Sequence, residues 1–176
     1  MELQTALETR YSCRAFAPDA PTHAQIEAVL EAGRLAPTAR NGQSVHVWVA
    51  TGEDNLAKIE ECTRCRYGAP VVFILGYDED TQCVHSWSGT ETGWSFGELD
   101  TTSVLMQMAL KATDLGLATC WLGAFDGDKV HELFGIPANF RIRALLDFGA
   151  AAEGDAGKPS PRHTDRKPLS ETVTWL

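Results

Sequence analysis

Long apolar runs are missing from this 176-residue sequence, and nothing in it approaches the 18 or more consecutive apolar residues of a membrane-spanning helix. The first 20 residues also lack the apolar core of a secretory signal, so the expected setting is cytoplasmic. Positive charge is scarce. Fifteen Lys and Arg stand against 24 Asp and Glu, and the resulting net charge of −9 excludes a surface built to neutralise nucleic-acid phosphates. Any phosphate held by so acidic a chain must sit in a local basic pocket. The five cysteines are an odd number without the spacing of a secreted disulfide framework. Cys62 and Cys65 form a C-x-x-C pair, but no second pair or histidine pair follows at zinc-finger spacing and His85 is isolated, so no metal site is assigned. Internal repeats are absent.

What remains is globular. Hydrophobic residues make up 44% and charged residues 22%, which suits a single domain over 1–176 that buries roughly two thirds of its unfolded surface. Helical spacing predicts a short helix over 2–8 and a longer one over 22–35, the latter opened by a Thr22–Gln25 capping box. Alternating valines predict a strand over 45–49, and 53–62 reads as a helix. The apolar run 71–77 behind Pro70 predicts a strand buried on both faces. Residues 78–97, with Trp87, Trp94 and Phe96, resist a regular assignment and read as a lid, a binding loop or partner-covered surface, or as a loop pinned to the core. A helix over 98–115, apolar around much of its circumference, is expected at the centre or at a subunit interface. Gly116 suits its left-handed cap, 117–122 reads as a strand, and Asp126 is placed to cap a helix over 127–134. A core strand over 141–149 follows. The tail 150–176 is expected to drape over a surface, and its apolar end at Val173, Trp175 and Leu176 to dock, on its own domain or on another subunit.

Three segments offer binding chemistry. Arg10-Tyr11-Ser12-Cys13-Arg14 combines two guanidinium groups, hydroxyls and backbone donors, an inventory that fits a phosphate dianion and equally describes a solvated basic loop. In the loop 37–43, Asn41 and Gln43 each bring a donor and an acceptor, as recognition of a heterocycle's edge requires, although Asn41-Gly42 is also ordinary turn chemistry. At Leu122-Gly123-Ala124, nothing bulky stands in the way of a flat ligand approaching the backbone N–H groups, and a plain strand-to-helix turn reads the same. Positive charge returns late, at Arg166-Lys167.

Four segments in register resemble the nitroreductase family, and the small clostridial-type members most in length. Arg10 to Arg14 looks like the family's R-x-S-x-R motif. Ala36-Pro37-Thr38-Ala39-Arg40-Asn41-Gly42-Gln43 is similar to A-P-S-x-x-N-x-Q. The run from Leu115-Gly116-Leu117 through Trp121-Leu122-Gly123-Ala124-Phe125-Asp126 resembles G-L-G-x-x-W-x-G-x-F-D, and Arg166-Lys167-Pro168-Leu169 resembles the terminal R-K-P-L. Departures fall at Tyr11, where many members carry a basic residue, and at Ser44-Val45, where many carry Pro-Trp. These bear on substrate preference more than on cofactor binding.

The resemblance implies an α+β fold with a central mixed sheet wrapped by helices, two interlocked chains, and FMN at the homodimer interface. It implies that Arg10, Tyr11, Ser12, Arg14 and Arg166 hold the phosphate and ribityl end, and that Pro37, Thr38, Ala39 and Asn41 contact the flavin of the neighbouring chain. Gln43 would face the pyrimidine edge, and Leu122, Gly123 and Ala124 would donate near N5 and O4. Fixed N–H dipoles and nearby cations favour a reduced flavin, so positioning is the protein's task and no catalytic acid or base is assigned. The activity implied is ping-pong hydride transfer from NAD(P)H to nitroaromatic, quinone or similar acceptors. A specialised flavin enzyme of the same fold, reductive dehalogenase or flavin-destroying, and a flavin-binding module without turnover are the alternatives. Residues Arg40, Arg64 and Arg66 leave NADH and NADPH undistinguished.

Overall fold

The structure is a computed structural model that describes residues 1–84 and 95–176. Trp87 and Trp94, whose loop the sequence leaves open between a lid, a binding loop or partner-covered surface and a segment pinned to the core, lie outside the described residues. The elements run α1 (Leu3–Thr9), α2 (His23–Arg34), β1 (Val45–Thr51), α3 (Glu53–Cys62), β2 (Val71–Asp78), α4 (Phe96–Asp114), β3 (Ala118–Leu122), α5 (Gly127–Phe134), β4 (Phe140–Gly149) and α6 (Leu169–Thr172). Short 3₁₀ turns occupy Ala39–Asn41, Gly154–Gly157 and Pro161–Thr164.

The four strands form one sheet in the order β1-β2-β4-β3. Every neighbouring pair is antiparallel, so the expected mixed sheet is corrected here: parallel pairing among the described residues is confined to an isolated bridge between Ser12 and Thr119. The period-two alternation that marks a strand is the same in either direction, which is why the sequence did not carry this.

Alternation along β2 and β4 supplies two cores. Val71, Phe73 and Leu75 join Ala144, Leu146 and Phe148 beneath α2 and α4, while Val72, Ile74, Ile142 and Leu145 face Ile59 of α3 and Val130 of α5. Helix α4 packs on both α2 and the sheet and buries Val104, Leu105, Met108 and Ala112, which explains its broad apolar surface.

Local signals fix most boundaries. The Thr22 hydroxyl accepts from the Gln25 N–H while the Gln25 side chain accepts from the Thr22 N–H, closing the predicted capping box. Gly116 takes φ +74° and caps α4, and Asp126 accepts the Lys129 N–H at 3.1 Å to start α5. Helix α4 begins two residues before the expected position because its cap is remote: the Gln82 amide oxygen accepts the Gly97 N–H at 3.3 Å. The polar tail folds back onto the start of the chain. Ala152 donates to Ala15 and Ala17 to Ala150, each at 2.9 Å.

Candidate functional site

The bridge between Ser12 and Thr119 holds the N-terminal arginine segment against β3, and the returning tail crosses the same place. Arg10, Tyr11, Ser12 and Arg14 therefore line one cavity with Ser160, Arg162, His163 and Arg166, enclosing about 440 Å³. The Tyr11 hydroxyl donates to the Gly157 carbonyl at 2.6 Å, the His163 Nε2 lies 2.8 Å from the Glu8 carbonyl oxygen, and the two rings meet edge to face. Burial, with Cys13 beside it, pushes the Tyr11 phenol up to about 12, so it remains an O–H donor throughout the ordinary pH range.

Charge here is unbalanced. Among the described residues, no ion pair engages Arg10, Arg14, Arg162 or Arg166, although the molecule as a whole is strongly acidic. Four guanidinium groups around one cavity repel one another unless an anion joins them, and planar bidentate donors suit a phosphate. Ser160, Arg162 and His163 were not singled out as site residues from the sequence. Their one legible signal was the four-residue spacing of Arg162 and Arg166.

The other predicted residues stand elsewhere in the single chain. Thr38 and Gln43 border a second cavity of about 540 Å³ between α2, β1 and Val104 of α4. The loop carrying them is strained: Arg40, Asn41 and Gln43 adopt φ of +53°, +56° and +51°. Each such residue costs on the order of 1–3 kcal/mol, a strain that persists only where surrounding contacts over-determine it. Thr38 closes the loop, its carbonyl accepting from Asn41 at 2.9 Å and its hydroxyl from Gln43 at 3.1 Å. The Ala39 N–H is donated to Asp100 of α4 at 2.9 Å, so that amide is not free for a ligand. Pro37 and Ala36 lead from α2 into this loop.

Leu122 ends β3 buried, and Gly123 and Ala124 are exposed. A Cβ added at Gly123 would meet no heavy atom of the described residues within 4 Å, so none of them demands glycine there. The Ala124 carbonyl accepts from the Thr63 hydroxyl at 2.7 Å, which ties the turn to the Cys62–Cys65 loop. Both border a third, open cavity of about 600 Å³. All five cysteines are free thiols, and burial raises Cys62 and pushes Cys120 up to about 11, which favours the neutral thiol in both. Of the arginines weighed for a second phosphate, Arg66 is paired with Glu60.

No helix among the described residues is long and apolar enough to cross a membrane. A nitroreductase family protein from Clostridium difficile superposes with a TM-score of 0.88 at 28% identity, over 99% of this chain and 98% of that one. A nitroreductase with bound FMN from Desulfitobacterium hafniense superposes at 0.71 and 20% identity, over 100% and 99%. An NADPH-dependent oxidoreductase of Staphylococcus saprophyticus is 23% identical across 89% of this chain and 67% of its own length. An NADH dehydrogenase of Thermus thermophilus is 24% identical across 99% and 96%. The sequence profile of the nitroreductase family matches residues 7–67 and 64–150, a span that includes the arginine segment, the strained loop and the bare turn alike, and the chain belongs to that family.

Proposed function

We propose that this protein is an FMN-dependent NAD(P)H oxidoreductase of the nitroreductase type, a cytoplasmic homodimer whose 1–176 domain holds the first part of its tail, 150–176, on its own N-terminal segment and wraps the exposed end around the partner. One observation carries the reading: guanidinium groups from both ends of an acidic chain line a single cavity without a carboxylate to neutralise them. The residues fit the group. Arg10, Ser12, Arg14 and Arg166 would hold the FMN phosphate, Tyr11 would keep the tail in place beside them, and the exposed amides at Gly123 and Ala124 leave room for a flat ring.

The loop of Pro37, Thr38, Ala39, Asn41 and Gln43 borders a different cavity from the arginines. This separation supports a site assembled from two chains, with the loop of one reaching the flavin of the other. The exposed apolar end of the chain, where Trp175 is 92% accessible, supports the same arrangement. The chemistry FMN supplies is two-electron storage between half-reactions, with hydride entering from NAD(P)H and leaving to a nitroaromatic, quinone or similar acceptor in ping-pong order. The chain's own contribution is cation and amide placement that favours negative charge on the reduced ring.

The deciding experiment is an absorption spectrum of purified protein supplied with FMN, recorded before and after anaerobic NADH and NADPH, with the particle mass measured alongside. A flavin spectrum bleached by either nucleotide and restored by a nitroaromatic or quinone is expected. Failure of both nucleotides to bleach bound flavin would favour a binding module without turnover, restoration by a single narrow acceptor class would favour a specialised enzyme of the dehalogenase or flavin-destroying kind, and colourless protein would overturn the reading.

A further inference from the structure

The strained loop needs an anchor. Its internal bonds run from Thr38 to Gln43 and close it on itself, but they do not by themselves fix its height above the sheet. The bond from the Ala39 N–H to the Asp100 carboxylate leaves the loop and enters α4.

Asp100 is delivered rigidly. It is 5% exposed and sits one turn into α4, whose start is locked against β2: a Cβ at Gly97 would lie 2.3 Å from the ring of Tyr77. The Thr101 hydroxyl, on the same turn, donates to the Gly97 carbonyl at 2.7 Å. A carboxylate taken out of water at this cost has a use if it holds a backbone N–H that a neutral side chain would hold less firmly. The carboxylate meets Ala39 immediately before Arg40, the first of the left-handed residues.

The geometry points to Asp100 as a positioning residue that presets the Thr38–Gln43 loop for flavin recognition, acting through the Ala39 amide and touching no ligand itself. The inference rests on the FMN reading for its purpose, while the clamp itself can be scored without flavin. Ordering a strained loop in advance removes that ordering cost from the binding step.

The test uses the 176-residue chain as wild type, Asp100→Ala and Asp100→Asn. Residue-resolved amide exchange is measured without flavin, and FMN affinity by fluorescence quenching. Asp100→Ala should speed exchange at Ala39 and Asn41 by about tenfold or more, the scale set by loss of a charge-assisted bond, while the amides of Val72 and Leu75 in β2 keep their wild-type rates. FMN should bind correspondingly more weakly. Asp100→Asn retains an oxygen acceptor without its charge and should recover slow exchange and tight binding in part, falling between wild type and Asp100→Ala. Unchanged exchange at Ala39 in Asp100→Ala, an Asn variant as fast as the Ala variant, or equal acceleration in β2 would overturn the assignment. Slow exchange lost locally in a protein that takes up no FMN would keep the clamp and reject its purpose.

Discussion

The Tyr11 hydroxyl donates to the Gly157 carbonyl at 2.6 Å, joining residues 146 positions apart. Gly157 is demanded by the turn that presents this carbonyl: a Cβ there would lie 1.9 Å from the Ala152 carbonyl oxygen. This contact brings Arg162 and Arg166 to the same cavity as Arg10 and Arg14.

Tyr11→Phe should therefore release the tail without unfolding the domain. Residues beyond 150 are expected to be cut several-fold faster by a protease, and FMN affinity to fall by about three- to tenfold, the worth of one buried hydrogen bond. Limited proteolysis followed by mass spectrometry checks the first, and flavin fluorescence the second.

Removing the Arg166 guanidinium takes away a charge at the cavity and its donations to the Arg162 and Asp165 carbonyls. Arg166→Ala should weaken FMN by roughly tenfold, consistent with loss of a charge-assisted contact to phosphate, and should weaken riboflavin much less because that ligand carries no phosphate. Raising the salt concentration should narrow the gap between wild type and variant, since the site is partly open to solvent. Equal losses for the two ligands would place Arg166 away from the phosphate.

Gly123 and Gly157 separate binding from folding. With open space around Gly123, Gly123→Val should leave the urea-unfolding free energy of the flavin-free chain within about 0.5 kcal/mol of wild type, as expected of an exposed site away from special features. FMN affinity should nevertheless drop by at least tenfold if a ring lies against that turn. Gly157→Ala, by contrast, should destabilise the flavin-free chain, since its new methyl group collides with backbone.

Asp147 sets a pH dependence. It lies opposite Val72 on β2 and Cys120 on β3, fully buried, with neither carboxylate oxygen hydrogen-bonded. Burial pushes its carboxyl up to about 8, partly opposed by nearby Arg66. The folded form thus keeps a proton that the unfolded chain releases near pH 4, so between these values folding takes up a proton and stability falls as pH rises, by at most about 1.4 kcal/mol per unit from this group. Above pH 8 its contribution no longer changes. Asp147→Asn should flatten the decline between pH 5 and 8 and be the more stable protein at pH 8. Urea unfolding at the two pH values gives the comparison, and parallel curves for wild type and variant would refute it.

The site was legible where one short segment carried its own chemistry. Arg10, Ser12 and Arg14 announce an anion through residue type alone, and Arg166 joins them once the family pattern is recognised. Ser160, Arg162 and His163 were not picked out because their role depends on where the tail lands, which Tyr11 and Gly157 decide. Asp100 gave no signal either: within α4 it reads as one more polar helical residue, and its partner Ala39 is 61 positions away.

By itself the sequence determined most of the longer elements and several of their ends, because apolar period, the Thr22–Gln25 capping box and the left-handed Gly116 act over a few residues. Tertiary structure alone decided the direction of the strands, the burial of Asp147, the remote cap on α4 and the gathering of four arginines around one cavity. Local propensity is a matter of neighbours in the chain. Those other features depend on which distant segments the packed sheet and its covering helices bring face to face.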